Sequence, residues 1–130
     1  MGLRRVSLVA QSLLYTAAGV NHFWHESFYR RIMPDHYAHP DGWVLFTGVA
    51  EIVGGIGLLH PKMRRGAAIG IALMLVGYSD VHIFMLRHSE RFPDVPHWAL
   101  VGRIGLQFLL IAWALQMARC ENRLARERLG

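Results

Sequence analysis

Residues 66–86 read GAAIGIALMLVGYSDVHIFML, an apolar run long enough to cross a lipid bilayer as a helix. From Ile69 to Gly77 the run is apolar on every face, whereas a helix of a soluble bundle keeps a polar stripe with a period of 3.6 residues. The composition agrees, because 53% of the 130 residues are hydrophobic and only 18% are charged. The run therefore predicts a membrane-spanning helix, argues against a soluble four-helix bundle and excludes a disordered chain.

Three more apolar segments accompany this run. Together, the four predicted spans cover roughly residues 6–24, 43–59, 66–86 and 98–118. The four spans predict an all-α fold: an integral membrane, up-down-up-down bundle of four helices that forms one domain over residues 1–130.

The first span begins like a secretory signal peptide. Arg4 and Arg5 precede an apolar run, and small residues follow at positions 16–19. The run continues, however, through the bulky Phe23 and Trp24, which are typical of the membrane interface rather than of a cleavage site. We therefore expect an uncleaved helix.

The basic residues are distributed unequally between the two ends of the predicted spans. Nine lie at the end that carries both termini and the turn at residues 62–65, whereas four lie at the opposite end. Since basic residues are enriched on the cytoplasmic side, both termini are predicted to be cytoplasmic. Membrane topology thus explains the net charge of +5, and no nucleic-acid partner is expected.

The loop at residues 25–42 is predicted to lie outside. Just before it and within it, Trp24, Phe28 and Ile32 recur at helical spacing. This spacing predicts a short helix that lies in the membrane interface and ends at Pro34.

Each predicted span carries polar side chains near its outer end. A charge inside a bilayer is costly, so it is usually paired or functional. At 1.5 Å per residue, Glu51 lies about 12 Å inward from Trp43. We predict that these groups line a polar pocket open to the outside. The predicted lining residues are Tyr15, His22, Glu51, Asp80, His82, Arg103 and Gln107.

The candidate catalytic residues of this pocket are Glu51, Asp80 and His22, because a carboxyl group beside a histidine can give or take a proton. The other four residues are predicted to contact a ligand. The alternative interpretation is structural: Arg103 pairs with Glu51 or Asp80 and holds the helices together. The sequence leaves both interpretations open.

Four histidines form two H-x-x-H pairs, His22 with His25 and His36 with His39. Such pairs beside carboxylates can bind zinc or copper. No cysteine accompanies them and no rigid helix is expected beneath the second pair, so we expect no metal and keep these histidines as the alternative. The lone Cys120 excludes an intrachain disulfide.

Three stretches carry a family resemblance: AAGVNHFWHESFYRRIMP at residues 17–34, FTGVAEIVGGIGLLHPKMRRGA at 46–67 and GRIGLQFLLIAWA at 102–114. Over roughly residues 15–115 the chain resembles the DoxX family of small membrane proteins. The resemblance implies a four-helix protein of the bacterial inner membrane, linked to redox or sulfur metabolism. The recurrent polar positions of that family correspond here to His22, Glu51, Arg103 and Gln107.

Some DoxX relatives are subunits of quinone-linked oxidoreductases, which implies quinone as a ligand and a membrane or periplasmic redox partner. The single thiol of Cys120 cannot cycle as a dithiol, so electron transfer would need an external carrier. The residues allow two other functions: a membrane-embedded acid–base enzyme acting on a lipid-like substrate, or a non-catalytic accessory subunit. The sequence leaves open whether the protein is an enzyme and whether it forms oligomers.

Overall fold

The computed structural model describes residues 2–130, apart from the side chain of Ala125. The chain forms five α-helices and one short 3-10 helix, and no strand occurs among the described residues. The all-α prediction is therefore confirmed. The elements are α1 (Leu3–Trp24), α2 (Glu26–Ile32), α3 (Pro40–Leu59), α4 (Arg64–Arg87), the 3-10 helix (Ser89–Arg91) and α5 (His97–Leu129).

Three of the helices, α3, α4 and α5, are long and apolar enough to cross a membrane. Large apolar side chains cover their outer surfaces: Phe46, Leu73 and Phe108 are 64%, 68% and 69% exposed. Monomeric soluble proteins rarely expose broad apolar surfaces, whereas lipid tails solvate them. These helices therefore suit a lipid bilayer, as predicted.

The first predicted span forms α1, which has 22 residues. It is not among the three helices whose composition suits a membrane span, because Gln11, Asn21 and His22 interrupt its apolar run. Gln11 and His22 are buried. These two polar side chains thus face the rest of the protein and not its surroundings.

One helix boundary differs from the prediction, and the charged tail after Arg119 continues the last helix, as the sequence predicts. Helix α3 begins at Pro40 rather than near Trp43, because His39 adopts a left-handed backbone conformation (φ 56°) and a proline fits the first helical turn. Helix α5 continues well beyond residue 118, through the charged tail to Leu129.

The predicted short helix forms as α2 and ends before Pro34. Its apolar residues do not share one environment: Trp24, just before it, is 81% exposed, whereas Ile32 is buried against Phe84 and Met85. Ile32 therefore packs inside the protein and does not share the exposed surface of Trp24. The reason is that α2 packs against α4, so its last turn is covered by protein.

Glycines bring α1 and α3 into close antiparallel contact. A Cβ added to Gly19 would lie 2.7 Å from the carbonyl oxygen of Gly48, and one added to Gly48 would lie 2.9 Å from the Cβ of His22. Nearer the other end, a Cβ added to Gly55 would collide with Thr16. Small residues at these positions thus let the two helices approach closely.

Helices α3 and α4 also run antiparallel, and so do α4 and α5. Leu58, Ile71 and Leu75 belong to an apolar core shared by four helices. Near the termini, side chains link α1 to α5: the indole of Trp113 donates to the hydroxyl of Ser7 at 2.6 Å, and Arg4 pairs with Glu121. Away from these contacts, the α1–α3 pair and the α4–α5 pair separate and leave a cleft of about 1310 Å³.

Candidate functional site

The cleft is mostly apolar, but polar side chains gather along one part of its wall. All five α-helices and the loops beside them contribute to the lining. The polar part contains five of the seven predicted catalytic and ligand residues together with further tyrosines. Its ionisable and hydroxyl-bearing lining residues include Tyr15, His22, Tyr29, Thr47, Glu51, Tyr78, His82 and Arg103.

The centre of this polar cluster is a buried pair of His22 and Glu51, which are 6% and 4% exposed. Nε2 of His22 lies 3.2 Å from Oε2 of Glu51. The close approach of the two helices at Gly48 sets this distance, because a larger residue there would meet the Cβ of His22. The sequence predicted both residues, and the structure brings them together.

The hydrogen bonds of His22 decide where its proton sits. Its Nδ1 lies 3.3 Å from the carbonyl oxygen of Val44 and 3.3 Å from Oγ1 of Thr47. The carbonyl can only accept, and the Thr47 hydroxyl already donates to the carbonyl of Trp43 at 2.7 Å. We therefore assign the proton to Nδ1, with both oxygens as its acceptors.

This assignment has a consequence for Glu51. The Nδ1 proton of His22 bonds to two oxygen atoms of α3. In a neutral His22, the lone pair of Nε2 then faces the carboxyl group of Glu51. A lone pair facing a carboxylate would be repulsive, so this contact favours one additional proton on one of the two groups. The pair is thus a proton-holding unit, either a carboxylic acid beside an imidazole or a carboxylate beside an imidazolium.

Two phenolic hydroxyls beside this pair are buried without a hydrogen-bond partner among the described residues, those of Tyr15 and Tyr78. Tyr15 is only 2% exposed. The Tyr78 hydroxyl lies near Glu51 and Thr47 but is not aligned with either. A buried polar group left unpaired costs about 1–3 kcal/mol. Both hydroxyls are therefore available to donate to an acceptor inside the cleft.

Arg103 supplies the positive charge of the cluster. Its Nη1 donates to Oε1 of Gln107 at 2.7 Å, and Nε2 of Gln107 in turn donates to the carbonyl of Leu75. The expected ion pair of Arg103 with Glu51 or Asp80 does not occur among the described residues. Instead, a neighbour one turn along the same helix fixes the guanidinium, and Gln107 positions Arg103 without lining the cleft itself.

Asp80 was predicted to be catalytic, but it does not line the cleft. Its side chain is 44% exposed, and its Oδ2 accepts hydrogen bonds from Nε2 of His36 at 2.8 Å and from the hydroxyl of Tyr37 at 2.9 Å. These contacts fasten the loop between α2 and α3 onto α4. We call this cluster of Asp80, His36 and Tyr37 the loop clasp.

The remaining predicted residues lie in different places. His82 is partly buried and lines the cleft. His25 lies at the end of α1, where its Nδ1 is 2.6 Å from Oδ1 of Asn21. Within residues 2–130, no group of three or more histidine, cysteine, aspartate and glutamate side chains is placed to hold a metal ion. Three of the four histidines of the H-x-x-H pairs, His22, His25 and His36, instead contact different partners.

The sequence reasoning missed three residues of the site: Tyr29, Thr47 and Tyr78. Two of them carried a usable signal, because Thr47 lies one helical turn before Glu51 and Tyr78 one turn before His82, which places each pair on a common face. Tyr29 gave no such signal, since its ring lies 4.0 Å from that of His22 only because α2 folds back over α1. Tyr29 belongs to α2, which is not one of the helices that suit a membrane. Burial raises the pKa of Tyr29, so its hydroxyl stays protonated at neutral pH.

Exposed apolar helices around a buried polar cluster define a helical protein built for a lipid bilayer. Residues 11–118 match the family described as Domain of unknown function (DUF8561), and the chain belongs to that family. No curated protein and no solved structure matches the chain. Because the family description assigns no activity, the function has to be argued from the site.

Proposed function

We propose that the protein is a DoxX-like membrane protein that binds a quinone and exchanges a proton with its head group. The observation that carries the proposal is the His22–Glu51 pair, which holds a proton beside two unpaired phenolic hydroxyls at the polar part of an apolar cleft. Ligand pockets combine an apolar lining with a few convergent polar groups in this way.

The polar groups match the chemistry of a quinone ring. Its two carbonyl oxygens are acceptors, and the hydroxyls of Tyr15 and Tyr78 are buried donors that lack one. Negative charge develops on those oxygens during reduction, and the guanidinium of Arg103, which lines the same cleft, favours it. The cluster thus offers two donors, one positive charge and one mobile proton.

Reduction of a quinone to a quinol consumes two electrons and two protons. The His22–Glu51 pair can supply one proton and is then recharged from the outer side, which also provides the second. The electrons come from a membrane or periplasmic redox partner, because Cys120 alone cannot cycle as a dithiol. In this proposal the chain is the quinone-binding subunit of a larger redox assembly.

The proposed setting is the bacterial inner membrane, with α1, α3, α4 and α5 as a four-helix bundle and both termini in the cytoplasm. The antiparallel packing and the length of α1 support a fourth span. The basic ends support the orientation: Arg4 and Arg64 both pair with Glu121, which gathers the first helix, the α3–α4 turn and the tail at one end. Cytoplasmic loops and ends of membrane proteins carry an excess of lysine and arginine.

A quinone titration tests the proposal. Purified protein in detergent is titrated with a benzoquinone that has a short tail, and binding is followed by quenching of tryptophan fluorescence. We expect saturable binding that is weakened about tenfold, or about 1.4 kcal/mol, in Glu51→Gln. Asp80→Asn is the matched control, since it also removes one carboxylate of a helix but lies outside the cleft. Equal affinities for all three proteins, or no saturable binding, would contradict the proposal.

The same proton-holding pair supports a second candidate function, an acid–base enzyme such as an isomerase acting on a lipid-like substrate. That chemistry needs no electron carrier. It predicts a lipid that changes in abundance between cells with wild-type protein and cells with Glu51→Gln, while quinone titration stays flat. A protein that is inert in both tests but retains a partner in gentle detergent would be an accessory subunit.

A further inference from the structure

We propose that the ligand carries a long apolar tail, which enters from the bilayer through an opening between α3 and α4 and stays in the apolar part of the cleft. The inference rests on the proposed function for the head group, and it adds the substrate class and the route. It predicts that the protein prefers long-tailed quinones to tail-less ones.

The opening is lined by three glycines on one face of α4: Gly66, Gly70 and Gly77. A Cβ added to any of them would meet nothing within 4 Å. Glycines that pack helices look different, as at Gly19, where an added Cβ would lie 2.7 Å from backbone. The glycines of α4 therefore leave a groove rather than close a contact.

The groove opens sideways toward the surroundings. Phe46, Val53 and Leu73 line the cleft and are nevertheless 64%, 54% and 68% exposed. A side chain can meet both conditions only at an edge, where the cleft meets the outer surface of the protein. Since that outer surface suits lipid, the edge is an entrance for a molecule dissolved in the bilayer.

The length of the groove fits a tail. Gly66 and Tyr78 are separated by twelve residues of α4, or about 18 Å of helix. This is more than half of a hydrocarbon layer about 30 Å thick. A head group at Tyr78 thus has room for a tail along α4 toward the α3–α4 turn.

Buried polar groups show that the groove belongs to a ligand site and is not merely a loose helix contact. The hydroxyl of Tyr15 is unpaired among the described residues, and Oε2 of Glu51 lies 3.2 Å from Nε2 of His22 without an aligned hydrogen bond. The two residues are 2% and 4% exposed, and both line the same cleft. A partner helix in the groove would present an apolar surface to these groups and leave them unpaired. A molecule with a polar head and an apolar tail can bond to the polar groups with its head and fill the apolar groove with its tail.

A tail-length series tests the inference in lipid nanodiscs. Three quinones with the same head group and with no tail, a short isoprenoid tail or a long one are titrated into the wild-type protein. Gly70→Leu fills the groove, and Gly105→Leu is the matched control, because Gly105 also has open space around it but does not line the cleft. Light scattering of each protein reports its oligomeric state.

We expect the long tail to raise wild-type affinity at least tenfold beyond its partitioning into empty nanodiscs. Gly70→Leu should remove that gain and leave the tail-less quinone unaffected, which also shows that the variant folds. Gly105→Leu should behave as wild type. A wild-type affinity that ignores tail length overturns the inference and spares the head-group proposal. Dissociation of an oligomer by Gly70→Leu would also overturn it, and failure of every quinone to bind would overturn both proposals.

Discussion

The buried polar groups of the site cannot form hydrogen bonds with water. Their hydrogen bonds must therefore come from the protein or from a ligand. His22 contacts three polar groups, which are the carbonyl of Val44, the hydroxyl of Thr47 and the carboxyl group of Glu51. The hydroxyls of Tyr15 and Tyr78 make no hydrogen bond to the described residues. This contrast separates groups whose hydrogen bonds hold the fold from groups that are free to bond to a ligand.

A first prediction uses this contrast. Tyr15→Phe and Tyr78→Phe each remove a buried hydroxyl that bonds to nothing in the described chain, so neither should lower the free energy of unfolding, and a gain of up to about 1 kcal/mol is expected. Both should nevertheless weaken quinone binding several-fold. Thermal unfolding in detergent and the quinone titration measure the two effects on the same samples.

Tyr29→Phe is the matched control. The amide of Asn21 donates to the Tyr29 hydroxyl at 2.8 Å, so its removal should destabilise the protein by about 1 kcal/mol. If Tyr15→Phe destabilises the protein as much as Tyr29→Phe does, then the Tyr15 hydroxyl has a structural partner and the contrast fails.

Sequence reasoning found the centre of the site because unusual residues stood out. Glu51 is the single charge in an apolar run, and His22 interrupts another, so both were visible without a structure. Asp80 stood out equally but has a different role. Its partners lie in a loop with no periodicity, and nothing in the sequence indicates that His36 and Tyr37 fold back onto α4.

At the scale of elements, close packing of α1 against α3 positions the His22–Glu51 pair. Gly19→Ala should destabilise the protein by about 1–3 kcal/mol, because the added methyl group meets the backbone of α3, which cannot move aside cheaply. Gly105→Ala has open space and should stabilise α5 by up to about 1 kcal/mol. Thermal unfolding of the two variants compares them directly. Equal shifts of the same sign would show that α1 and α3 do not touch at Gly19.

The loop clasp gives a prediction about pH. Burial raises the pKa of Tyr37 above its ordinary value of 10.0, and the hydrogen bond and negative charge of Asp80 raise it further. The unfolded chain therefore ionises first as the pH rises. The stabilisation by the clasp is complete below pH 10.0 and is lost as the pH rises through the higher value of the folded protein.

Tyrosinate absorbance during alkaline titration measures this effect. Subtraction of the Tyr37→Phe curve isolates the titration of Tyr37, which should move to lower pH in Asp80→Asn. An unchanged titration in Asp80→Asn would mean that the loop is not fastened to α4 in solution.

Element boundaries were predicted to different degrees for physical reasons. Apolar runs predicted the positions of the long helices well. A helix that crosses a bilayer needs about 20 mostly apolar residues, and few other structures need such a run. The start of α3 was missed because local propensity acts there: Pro40 extends α3 outward. The tail after Arg119 was predicted to continue the last helix, and α5 does continue to Leu129. The pairing of Arg103 with Gln107 was missed. Whether Arg103 bonds to a residue of its own helix or to a carboxylate of another helix depends on side-chain geometry, which the sequence does not give.

For the whole molecule, two closely packed pairs of helices enclose a cleft that is polar where all five α-helices contribute ionisable groups and apolar elsewhere. A soluble protein would fill such a cleft with side chains, since voids cost packing energy. In a bilayer, a lipid-like molecule can fill it at little cost. The central claim is therefore that a quinone occupies the cleft with its head at the His22–Glu51 pair.

Photochemical cross-linking tests this claim most directly. Membranes that contain the protein are irradiated with a quinone that carries a photoreactive group on its ring, and the labelled residues are mapped by mass spectrometry of peptides. The account predicts labelling of the cleft-lining segments around Tyr15, Glu51 and Tyr78 that disappears with excess unlabelled quinone. Labelling that is confined to the outer surface of α5, around Phe108 and Leu109, or that persists under competition would contradict it.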